Sequence, residues 1–202
     1  DYFGTSCWNE FENIEMERST NTPFLSPKSH ECDWGGVGCY SKTDVVGVIS
    51  IIGNNLTGTL PKEIGTLKLQ QLLLQQNNIA GTIPDALHNY GDSIKSMILG
   101  CNSLTGTLPP SIFRDLTNLT HFGCSMNILS GSIPPSVNNL GNLKKFYALG
   151  AGFNGTIPID FTKMKSLEYL ELGGNQLSGS FPTSFTQWNN GIWVSFSHNN
   201  IV

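Results

Sequence analysis

Charge is scarce in this chain. Asp, Glu, Lys and Arg make up 13% of its 202 residues, against about 25% in a typical soluble domain. No basic run occurs and the net charge is −4, which argues against nucleic acid and against an anionic membrane surface as partners. No apolar run reaches the length of a membrane-spanning helix. No secretory leader is visible, and the chain starts at Asp1 rather than Met, so a processed or trimmed N-terminus is expected. The signatures of chemistry are missing too. There is no Gly-x-Ser-x-Gly elbow, no phosphate-binding loop and no His-Glu-x-x-His. His30, His88, His121 and His198 fall far apart, and Asp115, Asp160 and Glu171 stand alone, without the close pairing that acid–base catalysis needs. The expectation is a chain with no enzymatic activity, no cofactor and no metal.

Glycine is plentiful, with 22 residues, and its placement is periodic. The stretch Gly53-Asn-Asn-Leu-Thr-Gly-Thr-Leu-Pro61 returns from Gln76, from Cys101 and from Met126, in worn form from Ala151, and again from Gly174. The shared glycines are Gly58, Gly81, Gly106, Gly131, Gly155 and Gly179, spaced by 23, 25, 25, 24 and 24 residues. A period in this range is the mark of a solenoid.

Each copy is preceded by one apolar code. Counting back from the first Asn, apolar residues sit at minus eight, minus five and minus three: Val46, Ile49 and Ile51 before Asn54, or Leu69, Leu72 and Leu74 before Asn77. The code recurs before Asn102, Asn127 and Asn175, and a seventh copy containing Val194, Phe196, Asn199 and Ile201 ends with the chain. In the fifth copy Ala148 and Ala151 replace the large strand residue and the Asn, so an irregular coil or an ordered water is expected there. After each Pro two more apolar positions close the far side, from Ile64 and Leu67 to Phe185 and Trp188.

This code resembles the leucine-rich repeat. Its Gly-Thr/Ser-Ile/Leu-Pro tail resembles the plant-type subclass of about 24 residues, a tail that algal and other stramenopile proteins share. The resemblance covers residues 32–202. It implies an α/β-type solenoid of about six and a half repeats, a superhelix with a parallel β-sheet on its concave face, in which no coil is stable alone. Directly before the first copy, Cys32-Asp-Trp-Gly-Gly-Val-Gly-Cys39 resembles the N-terminal cap of the same subclass, where the two cysteines form a disulfide. A metal site there is weakly supported, because no second Cys or His pair lies at ligand spacing. The expected division is a cap over residues 1–44 and a solenoid over 45–202. Residues 10–18 could form a short helix, Trp8 and Trp34 would pack in the cap, and Cys7 has no assigned partner. A disulfide implies an oxidising compartment. Cys124 should lie in the core and Cys101 outside it, which disfavours a bond between them.

In this register the residues between the core positions of each strand face out of the concave side. Two groups there are large and apolar: Leu73 with Ile98, and Tyr147 with Tyr169 and Trp193, flanked by Lys145 and Glu171. Clustered exposed apolar residues mark contact surfaces, and aromatics are enriched in interfaces. The expected function is a non-catalytic recognition module of a secreted or cell-surface protein, binding a protein or peptide on that face. An alternative is a structural subunit bridging proteins of a larger complex. Ice or surface binding is less favoured, since the hydroxyl column Thr59, Thr82, Thr107, Ser132, Thr156 and Ser180 is ordinary for the subclass. Asn55, Asn118 and Asn154 open Asn-x-Thr glycosylation sequons.

Overall fold

A computed structural model describes residue 32 and residues 35–40, 45–187 and 193–202. Cys7, Trp8, His30, Trp34, Trp188 and the expected helix over 10–18 lie outside the described residues. Apolar residues alternate just before each Asn, and each such stretch forms a short strand with one face inward. The strands Val46–Ser50, Gln71–Leu73, Ser96–Ile98, His121–Gly123, Lys145–Tyr147, Tyr169–Glu171 and Trp193–Ser195 pair in parallel, one per coil. Val37–Cys39 adds an antiparallel strand at the first edge, completing an eight-stranded sheet. Cys32 and Cys39 are bonded, with Cα atoms 5.5 Å apart. Cys124 is fully buried in the core, and Cys101 is half-buried and disulfide-bonded.

Beyond each Asn the chain does more than turn. Thr57–Thr59, Asn78–Thr82, Ser103–Gly106 and Ile128–Leu129 form a second parallel sheet, and Asn154–Gly155, Gln176–Gly179 and Asn200–Ile201 a third. The far side carries 3-10 turns such as Lys62–Thr66 and Pro135–Asn139 and, among the described residues, one α-helix, Pro110–Asp115. The core is one continuous column between these layers. Phe113, Phe122 and Phe146 meet edge-to-face at its centre, with ring centroids 5.0–6.0 Å apart.

The Asn side chains join the coils. Asn77 Oδ1 accepts from the Asn54 and Leu56 amides of the preceding coil, both at 3.0 Å. Its Nδ2 donates to Ile51 O at 2.7 Å and Leu74 O at 2.9 Å. Asn102, Asn127, Asn175 and Asn199 repeat the scheme, accepting from Ile79, Leu104, Phe153 and Leu177. These bonds satisfy amides that the bend would otherwise bury unpaired.

Coil five lacks the Asn, and its backbone takes over. The Leu129 amide, which would have met an Asn at 151, donates to the Ala151 carbonyl at 2.9 Å. The lost donor is tolerated because the ladder is redundant. Leu99 O receives both Asn102 and Asn127, whereas Cys124 O receives Asn127 and Ala148 O receives Asn175. The close approach depends on Gly152, at φ 96°, where a Cβ would lie 2.2 Å from Leu129 O. The expected irregularity takes the form of a backbone substitution.

Gly152→Ala should cost at least about 3 kcal/mol, combining backbone strain with a clash. Gly91 also has positive φ, but a Cβ there meets nothing within 4 Å, so Gly91→Ala should cost about 1 kcal/mol. Urea unfolding of both variants checks the difference; equal losses would show that the coil-five contact carries no weight.

Candidate functional site: the concave face

Strand alternation sends every second side chain of the eight-stranded sheet out of the concave side. Parallel pairing without shifts aligns them in columns. One column runs Gln71, Ser96, His121, Lys145, Tyr169 and Trp193, and the next runs Ser50, Leu73, Ile98, Gly123, Tyr147, Glu171 and Ser195. The structure thus places all seven expected contact residues on one face: Leu73 beside Ile98, and Tyr147, Tyr169, Trp193, Lys145 and Glu171 together.

Their exposure differs from expectation. Leu73, Ile98 and Tyr147 are 1%, 0% and 4% exposed, whereas Trp193 is 48% exposed. Tyr169, Lys145 and Glu171 are half-buried. The expectation of an open apolar face holds toward the C-terminal end and is corrected over coils two to five. Alternation tells which way a side chain points, not what lies over it.

The aromatic residues form a ladder that opens toward coil seven. Tyr147 and Tyr169 tilt together with centroids 4.9 Å apart. Tyr169 and Trp193 stack nearly parallel, 9° between planes and 4.3 Å between centroids. Tyr169 also donates its hydroxyl to Glu171 Oε2 at 3.0 Å. Burial raises the Glu171 pKa, with the hydrogen bonds from Tyr169 and Ser195 opposing. Sequence columns place these residues side by side; the three-dimensional structure adds that their rings tilt and stack against one another.

His121 is half-buried in the first column. Burial, then the Lys145 and Lys144 charges, lower its pKa. Among the described residues no group of three or more His, Cys, Asp or Glu side chains could hold a metal ion, and no helix is long and apolar enough to cross a membrane. The sequon residues Asn55, Asn118 and Asn154 are all exposed.

The Leucine Rich Repeat family model matches residues 68–90 and 166–188. No match is found among curated proteins. Several solved structures are similar. The ectodomain of the plant membrane receptor kinase GASSHO1/SCHENGEN3 from Arabidopsis thaliana, in complex with Casparian strip integrity factor 2, is 35% identical with a TM-score of 0.69, over 73% of this chain and 18% of that one. The plant peptide hormone receptor RGFR1 in complex with RGF2 is 31% identical with a TM-score of 0.73, over 77% and 25%. A plant ice-binding protein is 30% identical with a TM-score of 0.80, over 89% and 58%. The chain thus spans less than two thirds of each of these. Together with the parallel stack, they show that the fold is a leucine-rich repeat solenoid.

A depressed histidine pKa has a defined consequence. His121 is neutral in both states at high pH and contributes nothing there. As pH falls through the ordinary value of 6.5, the unfolded chain takes up the proton first, and stability drops. Thermal melts between about pH 7 and about pH 5 should show a shallower acid loss in His121→Gln than in the native protein. Identical slopes would show that the imidazole is not desolvated.

Proposed function

We propose that this chain is a non-catalytic recognition module that binds a protein or peptide at the C-terminal half of its concave face. The observation that carries this reading is the aromatic ladder of Tyr147, Tyr169 and Trp193. It starts buried and ends with Trp193 half in solvent. A stacked Tyr–Trp surface is pre-organised, and it buries large area at little rotamer cost. Lys145 and Glu171 flank it with opposite charges and fix the orientation of an extended ligand. The peptide hormone receptor among the similar structures supports a peptide as the ligand class. The Cys32–Cys39 disulfide supports an oxidising compartment, at the cell surface or in secretion.

One further observation favours ice or surface binding as a second reading. Thr59, Thr82, Thr107, Ser132, Thr156 and Ser180 are all exposed, one per coil, and one similar structure is an ice-binding protein. That row lies beyond the Asn ladder, on a different part of each coil from the aromatic ladder, so the two readings separate by mutation.

Panning a random peptide display library against the immobilised protein tests the first reading. Enriched peptides should lose about 2 kcal/mol of affinity on Trp193→Ala or Tyr169→Ala, with little change in melting temperature for Trp193→Ala. Peptides indifferent to both substitutions would exclude the ladder as the binding surface. Thermal hysteresis that is lost on Thr82→Leu and Thr107→Leu would favour the hydroxyl row instead.

Secretion carries its own check. At least one of Asn55, Asn118 and Asn154 should carry an Asn-linked glycan in the native protein. A glycosidase specific for such sugars should lower the intact mass; an unchanged mass contradicts passage through a glycosylating compartment.

A further inference from the structure

The open end of the aromatic ladder carries a carboxylate whose partners are all hydroxyls. Glu171 Oε2 accepts the Tyr169 hydroxyl at 3.0 Å, and the Ser195 side chain gives the same carboxylate a second hydrogen bond. Ser195 Oγ lies 3.3 Å from Ser197 Oγ. A hydroxyl has one proton to donate. With the Ser195 proton committed to Glu171, the Ser197 hydroxyl is the donor of the serine pair. Every proton in this network therefore points inward, toward one anion. What it turns outward is lone pairs: those of Ser197, which is exposed, and about two of the roughly four on the Glu171 carboxylate.

No charge within the chain answers that anion. Among the described residues no basic side chain forms an ion pair with Glu171, Lys145 on the adjacent strand included. Asp115, Asp160 and Glu168 do have such partners, in Arg114, Lys163 and Lys144. The hydroxyls are held where they are by a missing side chain. A Cβ at Gly173 would lie 3.0 Å from Ser197 Oγ and 3.2 Å from Ser195 Oγ, so the glycine lets the two serines of coil seven lean toward coil six. Beside them stands Trp193, stacked on Tyr169 and still 48% exposed. The corner thus combines a fixed carboxylate, outward-facing acceptors and an open aromatic wall.

We infer that this corner is a subsite for an arginine side chain of the bound polypeptide, an assignment that rests on recognition at the aromatic ladder. A guanidinium has five N–H donors in one plane and no acceptor, the complement of a network that offers only acceptors. It pairs bidentately with a carboxylate, and its methylene stem covers the exposed Trp193 ring. A lysine ammonium is a compact, strongly hydrated point charge with fewer donors and fits less well. Phosphate and carboxylate groups would meet lone pairs and a like charge, so acidic side chains are rejected here. Glu171 thereby sets the charge preference of the ladder, and Trp193 supplies the apolar contact.

Titration with N-acetyl-arginine methylamide, followed by the indole N–H resonance of Trp193, tests the subsite without any selected peptide. The resonance is assigned by its absence from Trp193→Phe. It should move saturably with the arginine compound, and it should not move with N-acetyl-citrulline methylamide, which has the same shape and no charge. Glu171→Gln keeps the size of the side chain and should weaken the arginine compound about tenfold. A resonance that stays still, that responds equally to citrulline, or that keeps its full response in Glu171→Gln overturns the subsite. The citrulline comparison uses the native protein, so it decides the matter even where the variant fails to fold. Panning separates the two readings: enriched peptides that depend on Trp193 yet lack arginine overturn the subsite alone, whereas peptides indifferent to Trp193→Ala overturn recognition at the ladder.

Discussion

Everything in this solenoid depends on how buried amides are satisfied where each coil leaves the concave sheet. The bend strands N–H groups inside the core, and each coil relies on its successor to accept them. An Asn side chain does this at 2.9–3.0 Å in coils two, three, four, six and seven. Coil five shows what the fold requires. Ala151 has no side-chain acceptor, and the carbonyl of its own backbone moves into the place. The requirement is an acceptor at that point, and Asn is the usual way to supply one. Because the acceptor comes from the next coil, folding of one coil is coupled to its neighbour, as expected of a stacked array.

Much of this was legible in the residues. The apolar positions at minus eight, minus five and minus three specify which strand side chains face inward, and Leu72, Met97, Phe122, Phe146 and Leu170 are fully buried as that code requires. The Cys pair before the first coil was legible by resemblance and is bonded. The second row of strands was not. Its residues, such as Asn78–Thr82 and Gln176–Gly179, are too short and too polar for a periodic signal, and they pair only because the coils already stack. The Gly152 approach was invisible for a similar reason: a single glycine in a glycine-rich chain does not announce which backbone it will touch.

The concave face was legible in direction and not in environment. Columns place Leu73, Ile98 and Tyr147 outward, and they do point outward, but they are buried. Periodicity reports a side chain's angle to its own sheet and says nothing of how deeply that face is buried. The face divides in two as a result. Coils two to five present a closed, largely apolar patch with a glycine notch and an unpaired Gln75 oxygen. Coils six and seven present stacked Tyr169 and Trp193. Tyr147 belongs to both halves, as the last buried residue and the first rung of the ladder.

The division of the concave face is most directly tested by hydroxyl-radical footprinting of the intact, unreduced protein. Oxidation should proceed fastest at Trp193, slower at Tyr169 and severalfold slower again at Tyr147. A Tyr147 that oxidises as fast as Tyr169 would contradict the account, because the face would be open along its whole length.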